Sequence, residues 1–171
     1  LRTHAAGADL RRRQPGRVAA ATCAGPAVCE KIEGSFQGLT RFMRFRILYH
    51  DHCFDGAASA AFFSRFIEDR IHPRAEFAFT GMAHTADQLF QDQLFDGDEN
   101  AIVDFKYATH PNLTWWFDHH QSAFLSPEDA AHYERVKDSR KFYFDPHSRS
   151  CTKFIAKITR EEYGYDPADL A

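Results

Sequence analysis

Imidazole and carboxylate side chains cluster at three places in the chain. The first is His50-Asp51-His52-Cys53-Phe54-Asp55-Gly56. The second is Asp104, set between Ala101-Ile102-Val103 and Phe105, and the third is Asp118-His119-His120, which follows Trp115-Trp116-Phe117. Alternate residues of an extended chain share a face, so His50 and His52 are expected to point one way and Asp51 the other. Asp55, Gly56 and Ala57 then open a helix, whose N-terminus favours an anion such as phosphate, and Gly56 lets the backbone approach a ligand closely. A carboxylate in a run as apolar as that around Asp104 costs several kcal/mol to bury unless it is paired or binds a metal. Each cluster also has a plainer reading. These are a turn and N-cap at Asp55 beside two half-exposed histidines, a cap or a Lys106 ion pair at Asp104, and a solvated turn at Asp118-His119-His120. Taken together, the donors are imidazole nitrogen and carboxylate oxygen with no thiolate required. That set suits Mn2+, Fe2+, Co2+ or Zn2+ better than a closed cysteine site. A carboxylate able to bridge two ligand sets is the arrangement of a two-metal hydrolase.

The elements that must position these residues alternate between short apolar runs and helical stretches. Strands are expected at Arg44–Tyr49, Glu76–Phe79, Ala101–Phe105, Leu113–Phe117 and Phe142–Phe144. Helices are expected at Gly56–Arg70, Thr85–Leu94, Pro127–Ser139 with Ser126 as N-cap, and Cys151–Tyr163. Runs such as AIVDF and LTWWF are apolar on both faces, as in a parallel sheet covered by helices, so the fold class is α/β. All three clusters then fall just past strand C-termini, where open α/β sheets bind ligands. One join is cramped. Lys106–Asn112 leaves seven residues between two strands, whereas a parallel crossover normally takes about a dozen or more.

Composition narrows the function classes. The 171 residues suit one domain with a sizeable core, and 44% hydrophobic and 15% aromatic residues exclude a disordered chain. The net charge of −3 divides into +4 over residues 1–42 (seven Lys/Arg, three Asp/Glu) and −7 over 43–171 (fourteen against twenty-one). The body therefore has no global basic field for nucleic acid, and any phosphate affinity must be local. Cys23, Cys29, Cys53 and Cys151 make no C-x-x-C pair, which favours a reducing, cytoplasmic setting. No apolar run approaches the roughly 20 residues that span a bilayer, and residues 1–42 lack the apolar segment of a signal peptide. That Arg-, Ala- and Gly-rich stretch reads as a disordered extension, or as sequence upstream of a start at Met43. A basic arm for nucleic acid is the alternative.

The motifs HDHCFDGAASA, the lone VDF, and DHH resemble the first three motifs of the DHH phosphoesterase family. That family includes RecJ-like exonucleases, small oligoribonucleases, cyclic-dinucleotide phosphodiesterases and manganese pyrophosphatases. The likeness covers about residues 44–160, including FDPHSRSCTKFIAKI, which resembles the segment that follows DHH. It implies a Rossmann-like N-terminal domain over 43–171 and a two-metal site loaded with Mn2+, or alternatively Mg2+ or Co2+. By the resemblance, His50, His52 and Asp104 would hold one ion, and Asp55, Asp104 and His119 the other, with Asp104 bridging. His120 would contact the substrate phosphate, and Asp118 would orient its neighbours from behind. The implied substrates are nucleotides, cyclic dinucleotides, short oligonucleotides or pyrophosphate. Two features depart from the family. His52 stands where the family commonly has Asp, and no fourth-motif Asp or C-terminal substrate domain follows, Asp166 and Asp169 lying too near the last helix. The expectation is thus a hydrolase domain that is incomplete as it stands. The alternative is a catalytically inactive nucleotide- or metal-binding sensor.

Overall fold

In a computed structural model, residues 42–83, 90–166 and 168 are described. The expected extension, apart from Phe42, lies outside them. Five strands, β1 (Arg44–His50), β2 (Glu76–Met82), β3 (Glu99–Val103), β4 (Trp115–Asp118) and β5 (Phe142–Phe144), pair in parallel in the order β2-β1-β3-β4-β5. The α/β parallel sheet expected from the apolar runs is therefore the architecture.

Strand alternation divides the core into two layers. Phe45, Ile47, Ala101, Val103, Trp115 and Phe117 face α1 (Phe54–Phe66) and α3 (Cys151–Tyr163), where Phe63, Phe66, Phe154 and Ile155 meet them. Leu48, Ile102 and Trp116 face the other way. Tyr133 of α2 (Pro127–Val136) packs there, as do Phe105, Tyr107, Ala108 and Leu113 of the segment between β3 and β4. This resolves the cramped join. The strands are shorter than expected, leaving eleven residues, 104–114, between them. With no room for a helix, the crossover buries its own side chains and acts as the covering layer.

Local chemistry sets the helix ends. Ser126 caps α2 by accepting from the Asp129 N–H, with Pro127 in the first turn. Gly164, at φ +62°, closes α3, and the Gly164 and Tyr165 N–H groups satisfy the carbonyls of Arg160 and Thr159. α1 starts at Phe54 rather than Gly56 and passes after Phe66 into a π-helical turn, Ile67–Ile71. The helix expected at Thr85–Leu94 falls partly on residues 84–89, outside the described ones. Its end is a single 3-10 turn, Asp92–Leu94. Among the described residues no helix is long and apolar enough to cross a membrane.

Candidate metal centre

The sheet order fixes where a ligand can sit. β1 lies between β2 and β3, so the chain leaves it towards one edge and later returns to its other side. The crevice at such a reversal, beyond the strand C-termini, is the natural binding position. His50 ends β1, Asp104 follows β3, and Asp118-His119-His120 closes β4.

Asp104 is the centre of the group. It is 1% exposed, and both carboxylate oxygens are buried and accept no hydrogen bond from the described residues. Imidazoles flank it on both sides, with His50 Nδ1 3.6 Å from Oδ2 and His119 Nε2 3.1 Å from Oδ1. Its backbone is left-handed, φ +57°, and its N–H donates to the Phe117 carbonyl, which turns the chain out of β3. Burial and the nearby negative charge of Asp55 push its pKa up to about 6. Lys106, the possible ion-pair partner, donates instead to the Ser122 carbonyl, and no helix begins at Asp104.

The two histidines of the third cluster are set by fixed acceptors. His119 Nδ1 lies 2.9 Å from the Ser148 carbonyl, which can only accept, so Nδ1 carries a proton and Nε2 faces Asp104. A turn in which Asp145 accepts from the Ser148 and His147 N–H groups holds that carbonyl. His120 Nδ1 is 2.7 Å from Asp118 Oδ1, which also accepts from the His119 and His120 N–H groups. Asp118 is fully buried, and its other oxygen accepts no hydrogen bond from the described residues. The hydrogen bond to Asp118 raises the His120 pKa above the usual imidazole value.

Asp55 has a second task. Its carboxylate accepts from the Ser150 and Thr152 hydroxyls at 2.8 and 2.7 Å and from the Cys151 and Thr152 N–H groups at 2.7 and 3.1 Å. Burial opposes its ionisation, but these hydrogen bonds outweigh burial and hold its pKa below the ordinary carboxylate value. It thus caps α3 rather than α1. Its Oδ2 stands 3.7 Å from His119 Nε2, so it still adjoins the centre.

His52 corrects the expectation from strand alternation. β1 ends at His50, and His52 is left-handed, φ +56°, so the period of two does not carry through. Its side chain is 86% exposed and pairs with Asp51, 3.1 Å away, not with Asp104. The same turn brings in Cys53, which the sequence reading missed. Among the described residues, two donor triads share Asp104. One is His50, Cys53 and Asp104, the other Asp104, His119 and His120, and the donors of each lie within 4.8 Å of one another. The H-x-x-C spacing of His50 and Cys53 was the available signal. Gly56 locks the arrangement, since a Cβ there would lie 2.1 Å from the His50 carbonyl oxygen. Comparison of the chain with protein-family models, with curated proteins and with solved structures returned no match.

Proposed function

We propose that this chain is a metal-dependent phosphoester hydrolase domain of the DHH type, acting on phosphodiester or phosphoanhydride bonds. One observation carries the reading: Asp104 is buried with both oxygens unsatisfied, and each oxygen faces a different imidazole. An isolated buried carboxylate is costly, and the donor set around it fits divalent cations. His50, Asp104 and His119 would hold them, with Asp55 beside His119 and Asp104 bridging. A pair of ions held there, Mn2+ or alternatively Mg2+ or Co2+, would polarise a phosphoryl group and lower the pKa of water.

The chain's own residues do the rest. Ser148 fixes the His119 tautomer, and Asp118 both orients His120 and favours its protonation. A protonated His120 offers Nε2–H to a phosphoryl oxygen, which orients the substrate and offsets its charge. Phe54, 90% exposed between Cys53 and Asp55, offers a ring on which a nucleobase can stack. The substrate class is accordingly nucleotides, cyclic dinucleotides or short oligonucleotides, with pyrophosphate as the base-free member. A reducing, cytoplasmic setting goes with this reading, because Cys53 and Cys151 are free thiols.

A second reading, a metal- or nucleotide-binding domain without turnover, draws on the four donors that already occupy Asp55. The test is calorimetric titration of the metal-free chain with Mn2+. It is paired with hydrolysis of bis-p-nitrophenyl phosphate, short RNA, cyclic dinucleotides and pyrophosphate. Binding with turnover supports the hydrolase, and binding without it the second reading. Mn2+ binding unchanged by Asp104→Asn overturns both.

A further inference from the structure

The two sides of Asp104 differ in donor chemistry. On the His119 side every donor is nitrogen or oxygen, whereas on the other side the triad contains the Cys53 sulfur. We infer that Cys53, with His50 and Asp104, forms a mixed sulfur, nitrogen and oxygen seat for a thiophilic divalent cation such as Zn2+, Co2+ or Fe2+. The inference rests on the metal centre proposed above and adds a division of labour: one thiophilic seat and one seat for Mn2+ or Mg2+.

Three observations converge on the sulfur. Cys53 is half-buried, immediately precedes the first turn of α1, and makes no capping hydrogen bond. The N-terminus of that helix favours negative charge, which a thiolate brings. The left-handed turn at His52 carries the His52 imidazole out to solvent, so Cys53 takes the position facing His50 and Asp104. Asp104 is the independent pointer, a buried carboxylate aimed into the triad with no hydrogen bond to satisfy it. Gly56 prevents drift, because α1 rests directly on the His50 backbone. Soft thiolate donors select Zn2+, Co2+ and Fe2+ over Mn2+ and Mg2+. Cys151, by contrast, is wholly buried and donates to the Phe117 carbonyl, and burial pushes its thiol pKa well up. On binding, the sulfur–metal bond forms as the thiol proton passes to solvent, with no change of oxidation state.

The test is absorption spectroscopy of the full chain, metal-free and kept reduced by a non-thiol reductant, during titration with Co2+. The expected result is a sulfur-to-cobalt charge-transfer band in the near ultraviolet that saturates with the first equivalent. It is lost in Cys53→Ser and Cys53→Ala and kept in His52→Ala. Cys53→Ser should also lose at least about 10-fold in Zn2+ affinity, the low end of what even an outer-shell partner contributes, with Mn2+ affinity at the other seat unchanged. X-ray absorption of the Zn2+-loaded natural chain needs no variant and should find one sulfur at about 2.3 Å. Cobalt that binds in an Asp104-dependent way without the band overturns the Cys53 seat and leaves the metal centre standing. A band that persists in Cys53→Ser also overturns it, since another cysteine must then supply the sulfur. Cobalt binding indifferent to Asp104→Asn overturns the inference and the metal centre together.

Discussion

Asp118 and His120 are joined by a hydrogen bond of 2.7 Å between a buried carboxylate and Nδ1, and this bond decides which nitrogen His120 presents to the site. Asp118→Asn keeps the shape but removes the charge. KM for phosphoester substrates should then rise, because His120 loses the partner that orients it and favours its protonation. In an NMR titration the His120 pKa should drop back towards the ordinary imidazole value. A residue that only packed the strand end would leave that titration unmoved.

Asp104 makes metal-free stability depend on pH. Its folded pKa is raised from 3.8 to about 6, so the folded state holds the proton more tightly than the unfolded chain. The associated stability is complete below the unfolded value and is lost as pH rises through about 6. Asp104→Asn should therefore melt higher than the natural chain at pH 7.5. The gap should close towards pH 4. Asn also tolerates the left-handed backbone. Added Mn2+ should reverse the order, raising the natural chain by about 4.1 kcal/mol at 1,000 times Kd and Asp104→Asn by far less. Melting curves at several pH values, with and without metal, check both directions.

Gly56→Ala tests the close approach of α1 to β1. The new methyl would have to displace the His50 carbonyl, 2.1 Å away, and overpacking of this kind costs about 1–3 kcal/mol. Because the same shift moves Cys53 and Asp55, metal affinity should fall even at temperatures where the variant is fully folded. A variant that loses stability but binds metal normally would show that the two are not linked through this contact.

Phe54→Ala separates substrate classes. The ring is 90% exposed, so its removal should change stability by less than about 0.5 kcal/mol. Base stacking on an aromatic ring contributes about 1–3 kcal/mol, so KM for nucleotide substrates should rise roughly 5- to 150-fold. KM for pyrophosphate, which has no base, should not change. Equal effects on both would remove Phe54 from base recognition.

The gathering of the candidate residues was legible because they sit just past strand C-termini, and parallel strands announce themselves as short apolar runs. His50, Asp104, His119 and His120 gather there for that reason. The fate of His52 was not legible. Reading His50 and His52 onto one face assumes the strand continues, and a left-handed histidine has no local sequence signature. Cys53 was hidden by the same turn. The donors to Asp55 lie 95 to 97 residues away, beyond any periodicity. The β3–β4 crossover also escaped, since Phe105, Tyr107 and Leu113 are buried in irregular backbone, where neither a period of two nor one of 3.6 applies.

Trp115 and Trp116 are neighbours in sequence but belong to opposite layers of the sheet. The indole N–H of Trp115 donates to Glu99, and that of Trp116 to the carbonyl of Phe105, next to Asp104. The chain thus carries two indole fluorophores in two optical environments, one reporting on the helical layer and the other on the crossover beside the candidate centre. Trp115→Phe leaves an emission signal from the crossover alone. Any ligand that shifts the Asp104 backbone should change its intensity or wavelength, without an added dye or label.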